Sequence, residues 1–189
     1  FVALACHHAT GLVFAADSSG QVWKWDGVNW VGYASLGSPN TDNYPAAAYD
    51  PIRQELLLVY SFGSMFRFDG TNWTPVSSLA MPLLVNPSPS WSYPQGHSMS
   101  WDAGLSRIVL TTASSPGSTS GTRTYGWTGL SWVQTASPTY PPYVGCATYD
   151  SAHGVSIVFD GDATSLTSGH TWSYVNARYT QLGVSQEPN

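Results

Sequence analysis

The sequence predicts an all-β chain: a β-propeller of four four-stranded antiparallel blades. Three observations carry that prediction. A pair of hairpin phrases recurs four times, one of the two phrases alternates aromatic and polar residues, and no segment shows a helical period.

The first phrase is a small-residue strand ending in an aromatic and Asp, then a turn, then an aliphatic strand. It reads AAAYDPIRQELLLVY from Ala46, SMSWDAGLSRIVLTT from Ser98 and CATYDSAHGVSIVFD from Cys146, with a degenerate copy, VALACHHATGLVFAA, from Val2. Asp50, Asp102 and Asp150 stand where this hairpin turns, and a short carboxylate there can accept backbone N–H groups. The second phrase reads VWKWDGVNWV from Val22, MFRFDGTNWT from Met65, TYGWTGLSWV from Thr124 and TWSYVNARYT from Thr171. Trp23 and Trp25 flank Lys24, and Phe66 and Phe68 flank Arg67, so a period of two puts rings on one face and charge on the other. Asp26-Gly27 and Asp69-Gly70 supply residues that tolerate positive φ in a tight turn.

Trp30, Trp73, Trp132 and Tyr179 close the second phrase at intervals of 43, 59 and 47 residues. Four-stranded propeller blades repeat at about 40–50 residues, so the long middle interval marks an insertion. The blades fall at about 1–33, 46–75, 97–134 and 145–181 of a single domain spanning 1–189. Trp30, Trp73 and Trp132 are expected at equivalent positions, packed between the outer strands of neighbouring blades. Four blades are compatible with a closed ring, or with part of a larger ring completed by further sequence or a second chain.

The succession of Tyr-Asp, turn, aliphatic strand, Asp-Gly and Asn-Trp resembles divergent bacterial kelch-like repeats, which are similar to the central propeller of galactose oxidase. The resemblance covers nearly the whole chain and implies the propeller fold; it implies no activity, because propellers host many. Kelch repeats usually end their second strand in Gly-Gly. This chain has Ala15-Ala16, Ser61-Phe62, Thr111-Thr112 and Asp160-Gly161 instead. The copper chemistry of galactose oxidase needs two Tyr, two His and a Tyr–Cys crosslink, a set that does not map onto matching motifs here.

Composition narrows the function classes. Charged residues make up 9% of the chain, aromatics 14%, and the formal net charge is −5. Lys24 is the sole lysine, so no basic face exists to neutralise phosphates, and nucleic acid is not an expected partner. No apolar run reaches the roughly 18 residues of a membrane-spanning helix. A polar surface built from Ser, Thr, Asn and Gly suits an extracellular or cell-surface protein. The chain begins at Phe1 and reads as a processed chain or a piece of something longer. Cys6 and Cys146 admit two readings: a disulfide joining the first and last blades, or two separate thiols. The alignment sets them on opposite faces of equivalent strands, which favours separate thiols.

Antiparallel connectivity sends the first and third turns of each blade to one end and the other connections to the opposite end. The long segments, 34–45, 75–96, 113–121, 134–144 and 160–169, all belong to the second set. Their aromatic residues make the candidate contact surface: Tyr44, Trp91, Tyr93, Tyr140 and Tyr143, with His97 beside them. The bland alternative is that these rings lie down as lids. The histidines lack metal-site spacing, and no cofactor or metal is expected. Asp160-Gly161-Asp162 is weak support for calcium. No Gly-rich phosphate loop or Gly-x-Ser-x-Gly elbow occurs. The expected function is therefore a non-catalytic protein-interaction or assembly module, its partner a protein (self-association included). A carbohydrate-binding propeller is the alternative. A glycan-active enzyme ranks third, because the loops barely provide clustered carboxylates.

Overall fold

The computed structural model of the chain describes residues 2–37, 45–60, 64–77, 97–112, 122–135, 141, 145–160 and 169–183. Those residues form sixteen strands and no helix. Blade 1 is β1 (Val2–His7), β2 (Leu12–Asp17), β3 (Gln21–Trp25) and β4 (Trp30–Ser35). Blade 2 is β5 (Ala46–Asp50), β6 (Glu55–Val59), β7 (Met65–Phe68) and β8 (Trp73–Val76). Blade 3 is β9 (His97–Asp102), β10 (Arg107–Thr112), β11 (Arg123–Trp127) and β12 (Trp132–Thr135). Blade 4 is β13 (Cys146–Asp150), β14 (Val155–Phe159), β15 (Thr171–Val175) and β16 (Arg178–Leu182). Each blade is one antiparallel sheet with its strands in chain order, as the doubled phrase requires. The chain divides into two compact units, Phe1–Ser90 with blades 1 and 2 and Trp91–Asn189 with blades 3 and 4.

The turns follow from local chemistry. In the first hairpin of blades 2, 3 and 4, Asp50, Asp102 and Asp150 each accept two backbone N–H groups from the residues two and three positions on. The chain then passes through the left-handed region at Gln54 (φ 54°), Ser106 (φ 51°) and Gly154 (φ 69°), as it does at Gly11 (φ 69°) in blade 1. In the third hairpin, the Asp26 and Asp69 carboxylates each accept two N–H groups within the turn, and Gly27 and Gly70 take φ values of 105° and 98°. Those hydrogen bonds, from Asn29 and Val28 to Asp26 and from Asn72 and Thr71 to Asp69, hold both carboxyls below the usual carboxylate range. Thr128 plays the capping part with its hydroxyl in blade 3. Blade 4 uses a tighter two-residue turn, with Asn176 (φ 54°) and Ala177 (φ 60°) both left-handed.

Directly paired residues share a face of a sheet, so register assigns every side chain. The closing pairs are Trp25↔Trp30, Phe68↔Trp73, Trp127↔Trp132 and Tyr174↔Tyr179, one per blade. The face carrying that pair is here called the leading face and its reverse the trailing face. In unit 1 the core joins the trailing face of blade 1 (Ala3, Phe14, Ala16, Val22) to the leading face of blade 2 (Leu56, Leu58, Phe68) together with Tyr60. In unit 2 it joins Val109 on the trailing face of blade 3 to Val158, Trp172, Tyr174 and Tyr179 on the leading face of blade 4. First strands meet at both seams: β1 adjoins β5, and β9 adjoins β13. Alanines in β1 and β5 permit that close approach.

Candidate functional site

The seam of unit 1 is aromatic. Phe68 is fully buried, with ring centroids 4.7 Å from Phe14, 5.2 Å from Trp73 and 5.3 Å from His7. His7 occupies the place that Asp holds in the other three blades. Its Nε2 lies 2.8 Å from the Gln54 carbonyl of blade 2, so that nitrogen carries the proton and ties the two blades together. Tyr60 donates its hydroxyl to the Asp17 carbonyl, and burial, with a smaller push from the Asp17 charge, raises the phenol to about 12. Toward the rim the seam becomes polar. A register shift in β3–β4 pairs Trp23 with Gly32 and Val22 with Ala34, leaving Tyr33 as the extra residue. Tyr33 therefore lies beside Phe14 (5.3 Å), donates its hydroxyl to the Thr71 carbonyl (3.1 Å) and receives the Lys24 ammonium over its ring (5.5 Å). Its side chain remains partly open to solvent. Sequence reading missed this Tyr33–Lys24 pair; the available signal was Gly32 inside a strand, which marks a bulge.

The seam of unit 2 is hydrogen-bonded. The fully buried Asp102 carboxylate accepts N–H groups from Gly104, Leu105 and, across the seam, Asn176 and Ala177, all at 2.9–3.1 Å. The left-handed turn of blade 4 aims two successive N–H groups outward, a concavity suited to one anionic oxygen pair. The Asn176 side chain packs against Gly104, where a Cβ would make it move aside. The Tyr179 hydroxyl lies 2.6 Å from Thr111 Oγ1 and 3.2 Å from Thr124 Oγ1, and Ser156 donates to the Trp101 carbonyl.

Corresponding sheet faces differ in exposure. On the leading face of blade 1, Leu4 is 63% exposed, Trp30 44% and Trp25 37%, with the two indole centroids 5.4 Å apart. Trp30 thus departs from the packed position expected of it. It holds the register of Trp73 and Trp132, but its side chain is exposed, while Trp73 is half-buried against the unit 1 core and Trp132 is buried. On the trailing face of blade 4, Cys146 and Thr148 are exposed and Val155, Ile157 and Phe159 only half-buried. The equivalent face of blade 2 buries Ala46, Ala48, Leu57 and Val59.

Of the predicted contact residues, Tyr44, Trp91, Tyr93, Tyr140 and Tyr143 lie outside the described residues. His97 opens β9 and is buried on the leading face of blade 3, not displayed on a surface. Cys6 and Cys146 are free thiols. Asp160 is buried and accepts N–H groups from His170 and from the Trp172 indole, while Gly161 and Asp162 lie outside the described residues. Among the described residues no three His, Cys, Asp or Glu gather as a metal site, and no helix is long and apolar enough to cross a membrane.

No family model matches the chain, and no curated protein matches it by sequence. Solved structures do. A mutant of the Aleuria aurantia lectin in complex with Fucα1-6GlcNAc is similar over 100% of this chain and 64% of its own, at 19% identity and a TM-score of 0.66. AofleA from Arthrobotrys oligospora matches over 98% and 57%, at 12% identity and a TM-score of 0.59. The SapL1 lectin in complex with α-methyl fucoside matches over 97% and 62%, at 12% identity and a TM-score of 0.58. The Aleuria lectin is described as a six-bladed β-propeller with a novel fucose recognition mode. The chain spans about six tenths of the length of these proteins, and at such identities the likeness establishes the fold: the four blades are blades of a β-propeller.

Proposed function

We propose that the chain is a non-catalytic carbohydrate-binding module of the lectin-propeller type, working outside the cell and taking fucose-bearing glycans. The observation that carries this reading is the structural match, over nearly all of this chain, to part of propellers whose structures hold fucosides. It moves the carbohydrate alternative ahead of the protein-interaction reading. Two features of the chain support it. Sugar rings present C–H faces to aromatic side chains and hydroxyls to polar rims. Tyr33, with Lys24 over its ring and Thr71 and the Asp69 turn at its side, offers both chemistries at the rim of the unit 1 seam. The aromatic loop residues Tyr44, Trp91, Tyr93, Tyr140 and Tyr143 are proposed as further contacts. The kelch-like phrases stand beside this as a resemblance of the repeat, and they carry no ligand preference.

A glycan array is the direct test. Retention on fucose-terminated glycans, competed by methyl fucoside and weakened several-fold in Tyr33→Ala and Lys24→Ala, is the expected result. A chain that folds and retains no glycan of any class would overturn the carbohydrate reading. Retention unchanged in both variants would move the site away from this rim.

A further inference from the structure

Two first-turn residues reach across a seam, and they meet turns of different kinds. In unit 2, Asp102 accepts the Asn176 and Ala177 N–H groups of the blade 4 turn. The third turn of blade 2 has already committed the matching groups, because the Asp69 carboxylate accepts the Thr71 and Asn72 N–H groups. An Asp at position 7 would face a turn that holds a carboxylate of its own, and like charges repel. His7 meets that turn as a ring instead. A β-carbon at Gly70 would stand 3.2 Å from His7 Cε1 and 3.5 Å from the Thr10 methyl, so the bare glycine is what lets the imidazole approach. The ring is fixed in turn by the Gln54 carbonyl at Nε2 (2.8 Å), the Thr10 hydroxyl at Nδ1 (2.9 Å) and the Phe68 ring. One residue on from Gly70, the Thr71 carbonyl accepts the Tyr33 hydroxyl. The Asp69–Asn72 turn is thus gripped by His7 and Thr10 at Gly70 and by Tyr33 at Thr71.

We propose that His7 is a positioning residue for the Tyr33 rim: packed on Gly70, it sets where the Thr71 carbonyl stands, and so where Tyr33 holds its ring beneath Lys24. Every contact in that path lies within unit 1. The path matters because a bulge puts Tyr33 outside the regular ladder of β4, so side-chain contacts decide where its ring points. Of those contacts the hydrogen bond to Thr71 is the directional one, and it is only as well placed as the turn that carries the acceptor. His7 touches no sugar in this arrangement; it acts through the turn, as a buried support does for a binding group. The effect on Tyr33 stands by itself. The effect on binding rests on the carbohydrate reading.

The experiment uses the sole lysine as a reporter. A chain labelled with carbon-13 lysine gives one Cε–Hε NMR signal, from Lys24, and the Tyr33 ring beneath it displaces that signal upfield. Tyr33→Ala supplies the undisplaced reference. His7→Ala is expected to move the signal most of the way to that reference and to weaken methyl fucoside binding several-fold, with circular dichroism unchanged. Thr10→Ala breaks the same support from an exposed position and is expected to move the signal the same way, which keeps the test open should His7→Ala not fold. His7→Gln, which can still donate to the Gln54 carbonyl, is expected to recover part of the displacement. Tyr60→Phe deletes a hydrogen bond of the same seam at the Asp17 carbonyl and is expected to leave the signal where it is. A Lys24 signal unmoved by His7→Ala, or by Thr10→Ala where His7→Ala does not fold, overturns the proposal. So does an equal movement in Tyr60→Phe, since His7 would then act only through the stability of the seam. A parent chain that binds no fucoside, or an affinity unchanged beside a moved signal, counts against the carbohydrate reading at this rim and upholds the positioning.

Discussion

The two seams solve one packing problem with different chemistry. In unit 1, blade 2 adheres to blade 1 through stacked rings, and a histidine replaces the recurrent aspartate to reach a carbonyl of the neighbouring blade. In unit 2, blade 4 adheres to blade 3 through a buried carboxylate that gathers N–H groups from both blades, reinforced by a tyrosine hydroxyl between two threonines. The backbone repeat is the same in both. What differs is whether the first-turn residue satisfies only its own hairpin, as Asp50 and Asp150 do among the described contacts, or spans the seam, as His7 and Asp102 do. A repeat thus tolerates different adhesives provided that each buried polar group finds a partner.

That contrast can be broken at its strongest point first. Phe68→Ala removes a fully buried ring from the centre of the unit 1 seam and is expected to cost about 3–5 kcal/mol, the range for emptying a large aromatic site. Denaturant unfolding gives the value; a loss under about 1 kcal/mol would mean that the ring cluster does not hold the seam. Asp102→Ala strands four N–H donors in unit 2 and is expected to cost about 2–4 kcal/mol. Asp102→Asn should recover only part of that, because its amide NH₂ would face donors rather than accept from them. Equal stability of Asp102→Asn and the parent would show that the carboxylate does not bridge the blades. Tyr179→Phe keeps the ring and deletes the hydroxyl, with an expected loss of about 1–2 kcal/mol. The same deletion combined with Thr111→Val should cost little more than either change alone, since both remove one contact. Strict additivity would place the hydroxyl's worth elsewhere.

Hairpins were legible in the sequence because their determinants are local. An Asp two or three residues before the N–H groups it caps, a Gly where φ turns positive, and alternation of Trp with Lys are properties of a few consecutive residues. Even so, the local code was incomplete. Asn176-Ala177 makes a two-residue left-handed turn with a β-carbon at each position, and the reward for that geometry lies across the seam in Asp102. Trp30 shows the same limit from the other side. Its phrase follows the same pattern as those of Trp73 and Trp132, yet its side chain is exposed while theirs are half-buried and buried, a difference that no window of sequence around it records. The candidate rim was hidden for a related reason, since Tyr33 reaches Lys24 and Thr71 only because a bulge adds one residue to β4.

The sequence by itself determined the all-β class, four blades, four strands in each and the chemistry of their turns, because period-two patterning and turn residues act over a few bonds. Tertiary structure alone decided which side chain at each repeated position is buried and which polar group crosses a seam. Those outcomes depend on what lies opposite a strand, and in blades that pack face to face the opposing residue comes from another repeat some 40 or more positions away.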